Sequence, residues 1–361
     1  HDWARSQLIA AANVSPNDRF VKATSALPEN SPLTTTQVRD WSEQGFALVD
    51  DLLPRALVQR LIEAARIRFP TPESDDALGH NDFGGGITFP DRDSTFNELT
   101  LHPRLLEAAS QLLDVPVHEL RLTQSDLWPK YGRRDGDRGD YDNQDQRIHV
   151  DYPNHTLTHP APWNEPEAVE IVIYLCDQVD VGGATAVVPR EGRHDAAYRW
   201  PIMDAPGIGD VPWINDRARA EAWFREHRPD TADFRSRLYQ REMYTDFTKG
   251  SVLLYRHDTW HRGTPLQSGQ MRLAHNLTFR KITADWISTL HPGWAWAMYK
   301  QDQRMERIIA NLNPDQRAVL GFPAPGNTYW TTEKIDAVEA RYGSFGFDAN
   351  PYRDAIVWTG L

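Results

Sequence analysis

The chain has 361 residues, of which 40% are hydrophobic, and it carries 13 Trp, 12 Tyr and 13 Phe. This composition provides enough apolar surface for a folded core and excludes disorder over the whole chain. The 51 acidic residues outnumber the 39 basic ones, giving a formal net charge of −12, so the chain would repel a phosphate backbone and no nucleic-acid partner is expected.

The longest strongly apolar stretch runs from Ile171 to Cys176. It is far shorter than the ~20 residues that cross a bilayer, so no membrane partner is expected. Cys176 is the one cysteine of the chain, which predicts a small buried hydrophobic side chain without a disulfide and favours a reducing, cytoplasmic location. The oligomeric state cannot be read from the sequence.

Residues 1–33 are polar and rich in proline, and they predict an extended N-terminal arm. The segment from Thr34 then predicts a capped helix ended by Gly45, followed by a short strand from Phe46 to Val49. Two further helices are predicted by apolar residues at helical spacing, over Leu53 to Arg68 and His102 to Leu113.

From Glu119 the pattern changes to strict alternation, which predicts a strand. Gln124 and Asp126 lie at every second position in phase with Leu120 and Leu122, so this pattern aims the polar pair and both leucines to one buried face. Residues 131–146 that follow are rich in Gly, Asp and Arg and predict a mobile surface loop, which we consider as a lid.

The strands predicted next lie over Ile148 to Tyr152, Ala168 to Asp177, Ala184 to Val188, Ser251 to Tyr255 and Met271 to Ile282. An insertion at 190–249 contains a predicted helix over Arg217 to His227. Residues 286–361 predict a helical, Trp-rich extension packed on the same domain, although Trp294, Trp296 and Trp330 also permit a partner-recruiting scaffold. The simplest architecture is one antiparallel β core over 34–285, mainly β with helical flanks.

The chain contains two His-x-acid triplets, about as many as composition alone predicts. His80-Asn81-Asp82 lies in a Gly-rich loop and is interpreted as loop polarity. His149 and Asp151 begin a predicted strand, where residues i and i+2 share a face, so an imidazole and a carboxylate can bind one metal ion.

His261, near the end of a later predicted strand, is the third ligand that such a site needs, and His257 is the competing candidate. Two imidazoles and one carboxylate leave about three positions of an octahedral ion open, an arrangement that suits oxygen-activating Fe(II) better than structural zinc.

Arg272 begins the strand after His261, and a seven-residue turn from Gly263 to Gly269 separates the two. In a two-sheet sandwich this turn can reach the opposite sheet, ~10 Å away. A small dicarboxylate would then bind the metal at one end and the Arg272 guanidinium at the other. The alternative is that Arg272 is a surface residue at a strand start.

These residues, in this order and spacing, resemble the phytanoyl-CoA dioxygenase-like family of Fe(II)- and 2-oxoglutarate-dependent oxygenases. The matching pieces are His149-Val-Asp151, the strand from Gly182 to Pro189, Trp260-His261, and Arg272 eleven positions after the last histidine. The resemblance implies a double-stranded β-helix, also called a jelly roll or cupin-like fold. It also implies iron ligation by the two histidines and Asp151, and binding of the far carboxylate of 2-oxoglutarate by Arg272.

The resemblance further places Gln124 and Lys130 at polar co-substrate or pocket contacts, although a structural hydrogen bond for Gln124 is an equal alternative. Asp126 and Tyr131 are candidates for the substrate pocket, and for Asp126 an ion pair with a nearby arginine stays open. One departure concerns Gly263, since family members often have serine there.

By the same resemblance, 2-oxoglutarate is decarboxylated to succinate while O2 oxidises a small-molecule substrate, by default through hydroxylation. Asp151 disfavours halogenation, because related halogenating enzymes carry a small residue in its place. No catalytic residue is expected beyond the metal ligands. The alternatives are a cupin-type metal-dependent hydrolase or isomerase, and a non-catalytic jelly-roll binding protein.

Overall fold

The computed structural model describes residues 30–80, 86–132, 145–151, 163–192, 194–198, 213, 215–284 and 304–356. The predicted arm and most of the predicted lid lie outside these ranges, as do Trp294 and Trp296. The α-helices of the described residues are α1 (Thr35–Gln44), α2 (Arg55–Arg68), α3 (Ser94–Thr100), α4 (Pro103–Leu113), α5 (Gln178–Val181), α6 (Arg217–His227), α7 (Pro229–Tyr239), α8 (Arg304–Asn311), α9 (Pro314–Val319), α10 (Thr332–Tyr342) and α11 (Asn350–Asp354).

The strands of the same residues are β1 (Phe46–Val49), β2 (Ile87–Thr88), β3 (Leu120–Tyr131), β4 (Ala168–Tyr174), β5 (Thr185–Val187), β6 (Met243–Tyr244), β7 (Val252–Tyr255), β8 (His261–Gly263) and β9 (Met271–Lys281). They form a large sheet in the order β1-β7-β4-β9-β3-β2 and a small sheet in the order β6-β5-β8. Every strand pair is antiparallel. Helices account for more of the described residues than strands do, so the fold is mixed α and β rather than mainly β.

The helices α2 and α4 cover one face of the large sheet and build the main core. The apolar stripe predicted for α2 is confirmed, with buried side chains at Leu57, Val58, Leu61, Ile62 and Ala65. On the sheet side, Leu273 and Leu277 of β9 belong to the same core. Each fully buried aliphatic side chain of this kind contributes about 1.5–3 kcal/mol, so the sheet has a firmly packed backing.

A β-bulge at Thr123 decides which side chains of β3 face the helices. Pairing with β9 shifts between Leu122, opposite Phe279, and Gln124, opposite Thr278. The extra residue reverses the phase of alternation, so Leu122 packs into the helix-side core while Gln124 shares the other face of the sheet with Thr278. The sequence pattern, which placed Gln124 on the same face as the leucines, was wrong on this point.

The other face of the large sheet is turned to the small sheet. The Tyr174 hydroxyl of β4 donates to Thr185 Oγ1 of β5 at 2.7 Å, and the Tyr174 ring stacks on Phe247 with centroids 3.7 Å apart. The turn after β8 leads into β9 of the large sheet, which confirms that the chain changes sheets between His261 and Arg272.

Residues 145–151, which carry the predicted ligands His149 and Asp151, form what we call the first ligand segment. This segment is less regular than the strand predicted from Ile148. Within residues 145–151, His149 makes a single antiparallel bridge to His261 instead of a continuous ladder. The neighbouring backbone groups of Ile148 bond to side chains, Tyr239 and Arg235, in place of a second strand. Side-chain hydrogen bonds therefore satisfy a backbone that the alternation alone would have assigned to a sheet.

The described C-terminal helices contact the helix-side core. Gln316 Nε2 donates to the Leu101 carbonyl at 2.9 Å, and Val319 of α9 is fully buried in that core. Trp330 is buried and its Nε1 donates to the Ala324 carbonyl, as expected of a packing residue. Among the described residues, no helix is both long and apolar enough to cross a membrane.

His275 of β9 is a buried neutral group on the helix side of the large sheet. Its Nε2 lies 2.9 Å from Ser125 Oγ, its ring stacks on Phe96, and burial lowers its pKa to about 3. Because the unfolded chain binds this proton near pH 6.5 and the folded chain does not, stability is lost as pH falls below that value.

We therefore expect His275 to account for about 2 kcal/mol of the stability difference between pH 7 and pH 5. Urea unfolding at both pH values measures this difference in the wild type and in His275→Gln, which keeps a hydrogen-bonding side chain but cannot titrate. In the variant, the free energy of unfolding is expected to change less between pH 7 and pH 5, by the amount that binding of one proton contributes. Equal pH dependence in the two proteins would contradict the assignment.

Candidate metal centre

Three predicted ligands, His149, Asp151 and His261, meet between the two sheets. One ligand atom of each lies within 4.8 Å of the others. His149 Nε2 is 3.7 Å from Asp151 Oδ1 and His261 Nε2 is 3.2 Å from Asp151 Oδ2. Among the described residues this is the one group of three or more such side chains spaced to hold a metal ion, and His257 is not part of it.

Backbone hydrogen bonds fix the positions of the three groups. His149 and His261 form a reciprocal pair in which each N–H donates to the other's carbonyl at 2.9 Å. The Asp151 N–H donates to the His257 carbonyl at 3.1 Å. His257 therefore acts at this centre through its backbone, whereas the side chain next to the carboxylate belongs to His261.

The outer nitrogens of both imidazoles fix the tautomer. His149 Nδ1 lies 2.9 Å from the Arg147 carbonyl and His261 Nδ1 lies 3.0 Å from the Thr259 carbonyl. A carbonyl only accepts, so each Nδ1 carries the proton and each Nε2 presents its lone pair to the centre. The Tyr255 hydroxyl donates to Asp151 Oδ2 at 3.0 Å and holds the carboxylate.

The electrostatics of this arrangement favour a cation. In neutral imidazoles the two Nε2 lone pairs face carboxylate oxygens, and such groups repel one another unless a positive charge lies between them. Burial and the neighbouring His261 lower the pKa of His149 to about 3. For His261, burial also lowers the pKa, but the charge of Asp151, together with the hydrogen bonds to Asp151 and to the Thr259 carbonyl, outweighs burial and raises the pKa. Two neutral nitrogens and one carboxylate fit an Fe(II) ion.

Glu170 on β4 is a buried carboxyl beside this centre that the sequence analysis missed. It accepts a hydrogen bond from Thr278 Oγ1 and faces Tyr255 across the sheet. Burial, followed by the Asp151 charge, raises its pKa well above the ordinary value. An acidic residue inside the apolar run from Ala168 to Tyr174 was the available signal, because a buried strand position rarely carries a charge without a specific reason.

Arg272 is buried in the large sheet, with a side chain that turns toward the small sheet. Its Nη1 donates to the Gly183 carbonyl, and its Nε has no hydrogen-bond partner among the described residues. Only 7% of the residue is exposed, so the alternative of a surface arginine does not hold. A buried guanidinium with an unused donor is able to receive an anionic oxygen.

Three more predicted residues lie on the Arg272 face of the large sheet. Lys130 is directly opposite Arg272 in the β3–β9 pair, Asp126 is opposite Asn276, and Gln124 is opposite Thr278. Burial, with the positive charge of Arg272 added, lowers the pKa of Lys130 well below its ordinary value. The structure therefore brings Gln124, Asp126 and Lys130 to the wall of the space between the sheets.

Tyr131 is not brought to this wall. It follows Lys130 on β3 and points to the helix side, where its hydroxyl donates to the Pro70 carbonyl at 2.8 Å. The alternation of a strand requires neighbouring residues to face opposite sides. The second His-x-acid triplet gives no comparison, because residues 81–85 and the side chain of His80 lie outside the described residues.

Gln146 fills the space that a side chain at position 263 would need. Its Oε1 accepts from the Gly263 N–H at 2.8 Å and its Nε2 donates to Asn215 Oδ1 at 3.0 Å. A Cβ added at Gly263 would come 2.8 Å from Gln146 Oε1. The buried amide of Gln146, from the first ligand segment, thus occupies the space that a serine side chain at position 263 would take.

We expect Gly263→Ser to lower stability by about 1 kcal/mol, because the new side chain displaces the Gln146 amide from its hydrogen bond to the Gly263 N–H. In the Gln146→Ala background, where the overlap is gone, Gly263→Ser is expected to cost little further stability. Thermal unfolding of the two variants, with Gln146→Ala alone as the control, measures the effect. A Gly263→Ser protein as stable as the wild type would contradict the overlap.

The two histidines and the aspartate, which come together in a protein of two antiparallel sheets with a buried arginine on the large sheet, define a centre of the 2-His-1-carboxylate class used by Fe(II) oxygenases. The family model of phytanoyl-CoA dioxygenase (PhyH) matches residues 41–274, well over half of the chain. The chain belongs to this family of Fe(II)- and 2-oxoglutarate-dependent oxygenases and is an oxidoreductase that uses iron, 2-oxoglutarate and O2.

Solved structures with similar folds include EctD from S. alaskensis with 2-oxoglutarate and 5-hydroxyectoine, at 16% identity over 75% of this chain and 86% of that chain, with a TM-score of 0.50. EvdO2 from Micromonospora carbonacea var. aurantiaca, complexed with 2-oxoglutarate, is 18% identical over 73% and 96% of the two chains, with a TM-score of 0.47. The epimerase SnoN, in complex with Fe3+, alpha ketoglutarate and nogalamycin RO, is 17% identical over 70% and 86%, with a TM-score of 0.44. A comparison with curated proteins gives no match. At these identities the likeness concerns the fold.

Proposed function

We propose that the protein hydroxylates a small-molecule metabolite and couples this reaction to decarboxylation of 2-oxoglutarate to succinate. The observation that carries the proposal is the convergence of His149, Asp151 and His261 from separate segments, with one ligand atom of each within 4.8 Å of the others. Fe(II) in such a site supplies Lewis-acid binding of the keto acid and one-electron activation of O2.

The side chains of the protein would bind the iron and hold its ligands in the required orientation. His149 and His261 present Nε2 because their Nδ1 protons are held by backbone carbonyls, and Tyr255 holds one oxygen of Asp151. The sheet that faces the small sheet provides Arg272 for the far carboxylate of 2-oxoglutarate, with Lys130 as its neighbour. No side chain is assigned a separate role as general base.

Arg272 favours this reaction over the alternatives. A cupin-type hydrolase or isomerase, or a jelly-roll binding protein, would use the same three ligands without 2-oxoglutarate and would not need a buried guanidinium. The 7% exposure of Arg272 and its unused Nε support the proposal that it binds an anion rather than water. Gln124 and Asp126, on the same face, are proposed as pocket contacts.

The proposed fold is a double-stranded β-helix. From β4 onward the chain passes repeatedly between the sheets, from β4 of the large sheet to β5 and β6 of the small one, then to β7 (large), β8 (small) and β9 (large). This path supports two facing sheets wound from one stretch of chain. We further propose that residues 34–285 form this domain, with 190–249 as an insertion and 286–361 as a helical extension, and that the enzyme is cytoplasmic.

Succinate formation tests the proposed function. Purified protein with Fe(II), 2-oxoglutarate and O2 is expected to produce succinate slowly without substrate and faster when a candidate metabolite is added. Omission of Fe(II) or addition of a chelator is the control and should abolish the product. Absence of succinate under every condition, from protein shown to bind Fe(II), would contradict the proposal.

A further inference from the structure

The backbone of the first ligand segment is held on both of its edges. On one edge, His149 pairs with His261 of β8. On the other edge, the Ile148 N–H donates to the Tyr239 hydroxyl at 3.0 Å and the Ile148 carbonyl accepts from Arg235 Nη2 at 3.1 Å. Two side chains of helix α7 thus occupy the hydrogen-bonding positions that a neighbouring strand would fill.

These side chains are themselves locked by a charged network. Arg235 is fully buried and its Nε and Nη2 donate to Glu221 of α6, at distances of 2.6–3.1 Å. The Tyr239 hydroxyl donates to Glu221 Oε1 at 2.7 Å, and the Arg235 guanidinium lies over the Phe224 ring at 4.4 Å. A buried ion pair with its hydrogen bonds satisfied has one low-energy geometry. The Arg235 guanidinium and the Tyr239 hydroxyl are therefore held in fixed positions at the Ile148 backbone.

Asp145 forms a second connection to the same helices. It accepts from Arg217 Nε of α6 at 2.9 Å and from Arg262 Nη1 at 2.5 Å. Arg262 directly follows His261, and its Nε donates to Glu242 at 2.6 Å. The two segments that carry the histidines are therefore tied to the helical insertion and to each other.

We propose that the α6–α7 pair is a positioning device for the iron centre, in which Glu221, Arg235 and Tyr239 hold Ile148 and thereby set the directions of His149 and Asp151. The inference rests on the proposed iron site and assigns a role to the insertion that the ligands alone do not show. Outer groups that orient metal ligands typically affect metal affinity by about 10–100-fold. The three residues are positioning residues, because the hydrogen bonds described for them reach the backbone of Ile148, the neighbour of His149.

Anaerobic calorimetric titration with Fe(II) tests the proposal without turnover. Tyr239→Phe removes the acceptor of the Ile148 N–H and is expected to raise the Fe(II) Kd about tenfold. Tyr352→Phe is the matched control, since it removes another buried hydroxyl that accepts from an arginine, Arg317, among the C-terminal helices. The control is expected to bind Fe(II) within about twofold of the wild type even if its melting temperature falls.

Glu221→Gln is the second variant, to be used if Tyr239→Phe does not fold. It removes the charge partner of Arg235 and is expected to weaken Fe(II) binding at least threefold and to shift the d–d absorption of bound Co(II). Fe(II) affinity equal to wild type in Tyr239→Phe or, failing that, in Glu221→Gln would overturn the inference. An equal loss in Tyr352→Phe would do the same. A wild-type protein that binds no Fe(II) would instead reject the proposed function.

Discussion

Replacement of His261 by alanine is expected to lower Fe(II) affinity by more than about 100-fold and to reduce succinate formation to background. Outer groups that merely orient a ligand already change affinity by about 10–100-fold, so removal of a ligand has a larger effect. His261 also pairs with His149 through its backbone, and alanine keeps that pairing, so the loss is confined to the imidazole. Calorimetry with Fe(II) and a succinate assay measure the two effects.

His227→Ala is the control for this experiment. His227 lies on α6 and stacks on Trp223 at 4.6 Å between ring centroids, with about half of its side chain exposed. This variant is expected to bind Fe(II) as the wild type does. Wild-type affinity in His261→Ala, together with its loss in His257→Ala, would transfer the ligand role to the competing histidine.

Replacement of Arg272 by alanine is expected to raise the Kd for 2-oxoglutarate about 100-fold while Fe(II) binding changes little. A bidentate guanidinium–carboxylate pair in a buried site contributes two charge-assisted hydrogen bonds. Arg272→Lys keeps the charge but loses the planar fork, so we expect it to be intermediate, with a Kd raised about tenfold. Titration of the Fe(II)-loaded protein with 2-oxoglutarate under anaerobic conditions measures these constants.

Arg353→Ala is the matched control, because Arg353 forms a bidentate ion pair of the same kind with Glu339 in the C-terminal helices. Its removal is expected to leave 2-oxoglutarate binding within about twofold of the wild type. If Arg272→Ala binds 2-oxoglutarate normally, the anchor lies elsewhere, and Lys130, directly opposite on β3, becomes the next residue to test.

The metal site was accessible from sequence because its signal is local and chemical. His149 and Asp151 are two residues apart, and their shared direction needs only a locally extended backbone. Their pairing with His261 was suggested by residue type and family pattern, and the sheet change before Arg272 followed from the length of the connecting turn. The alternation of side chains along an extended backbone and the reach of a short turn are the same in many proteins, so both can be inferred from sequence.

The residues that sequence reasoning missed depend on long-range packing. The bulge at Thr123, which sends Gln124 to the site and Leu122 to the core, leaves no local mark in an alternating run. Glu221 and Arg235 meet only because two helices pack together against the ligand segment. Gln146 is significant only in relation to Gly263, which is 117 positions away. No periodicity encodes such partnerships.

The fold explains why the site lies where it does. A sheet backed by α2 and α4 on one face leaves its other face for polar groups, and the small sheet closes that face through contacts such as Tyr174 with Thr185. The ligand atoms lie in the region between the sheets, where the hydroxyl of Tyr255 in the large sheet contacts Asp151. Burial on both sides makes polar groups costly unless they are used or paired, which accounts for the dense hydrogen bonding around the centre.

The most direct test of the central claim is an anaerobic titration of metal-free protein with Fe(II) and then 2-oxoglutarate, followed by visible absorption. The proposed iron and 2-oxoglutarate site predicts a charge-transfer band that appears only when both are present, is lost in His149→Ala and needs much more 2-oxoglutarate in Arg272→Ala. The absence of the band in wild-type protein that binds both ligands, or wild-type titrations in both variants, would contradict it.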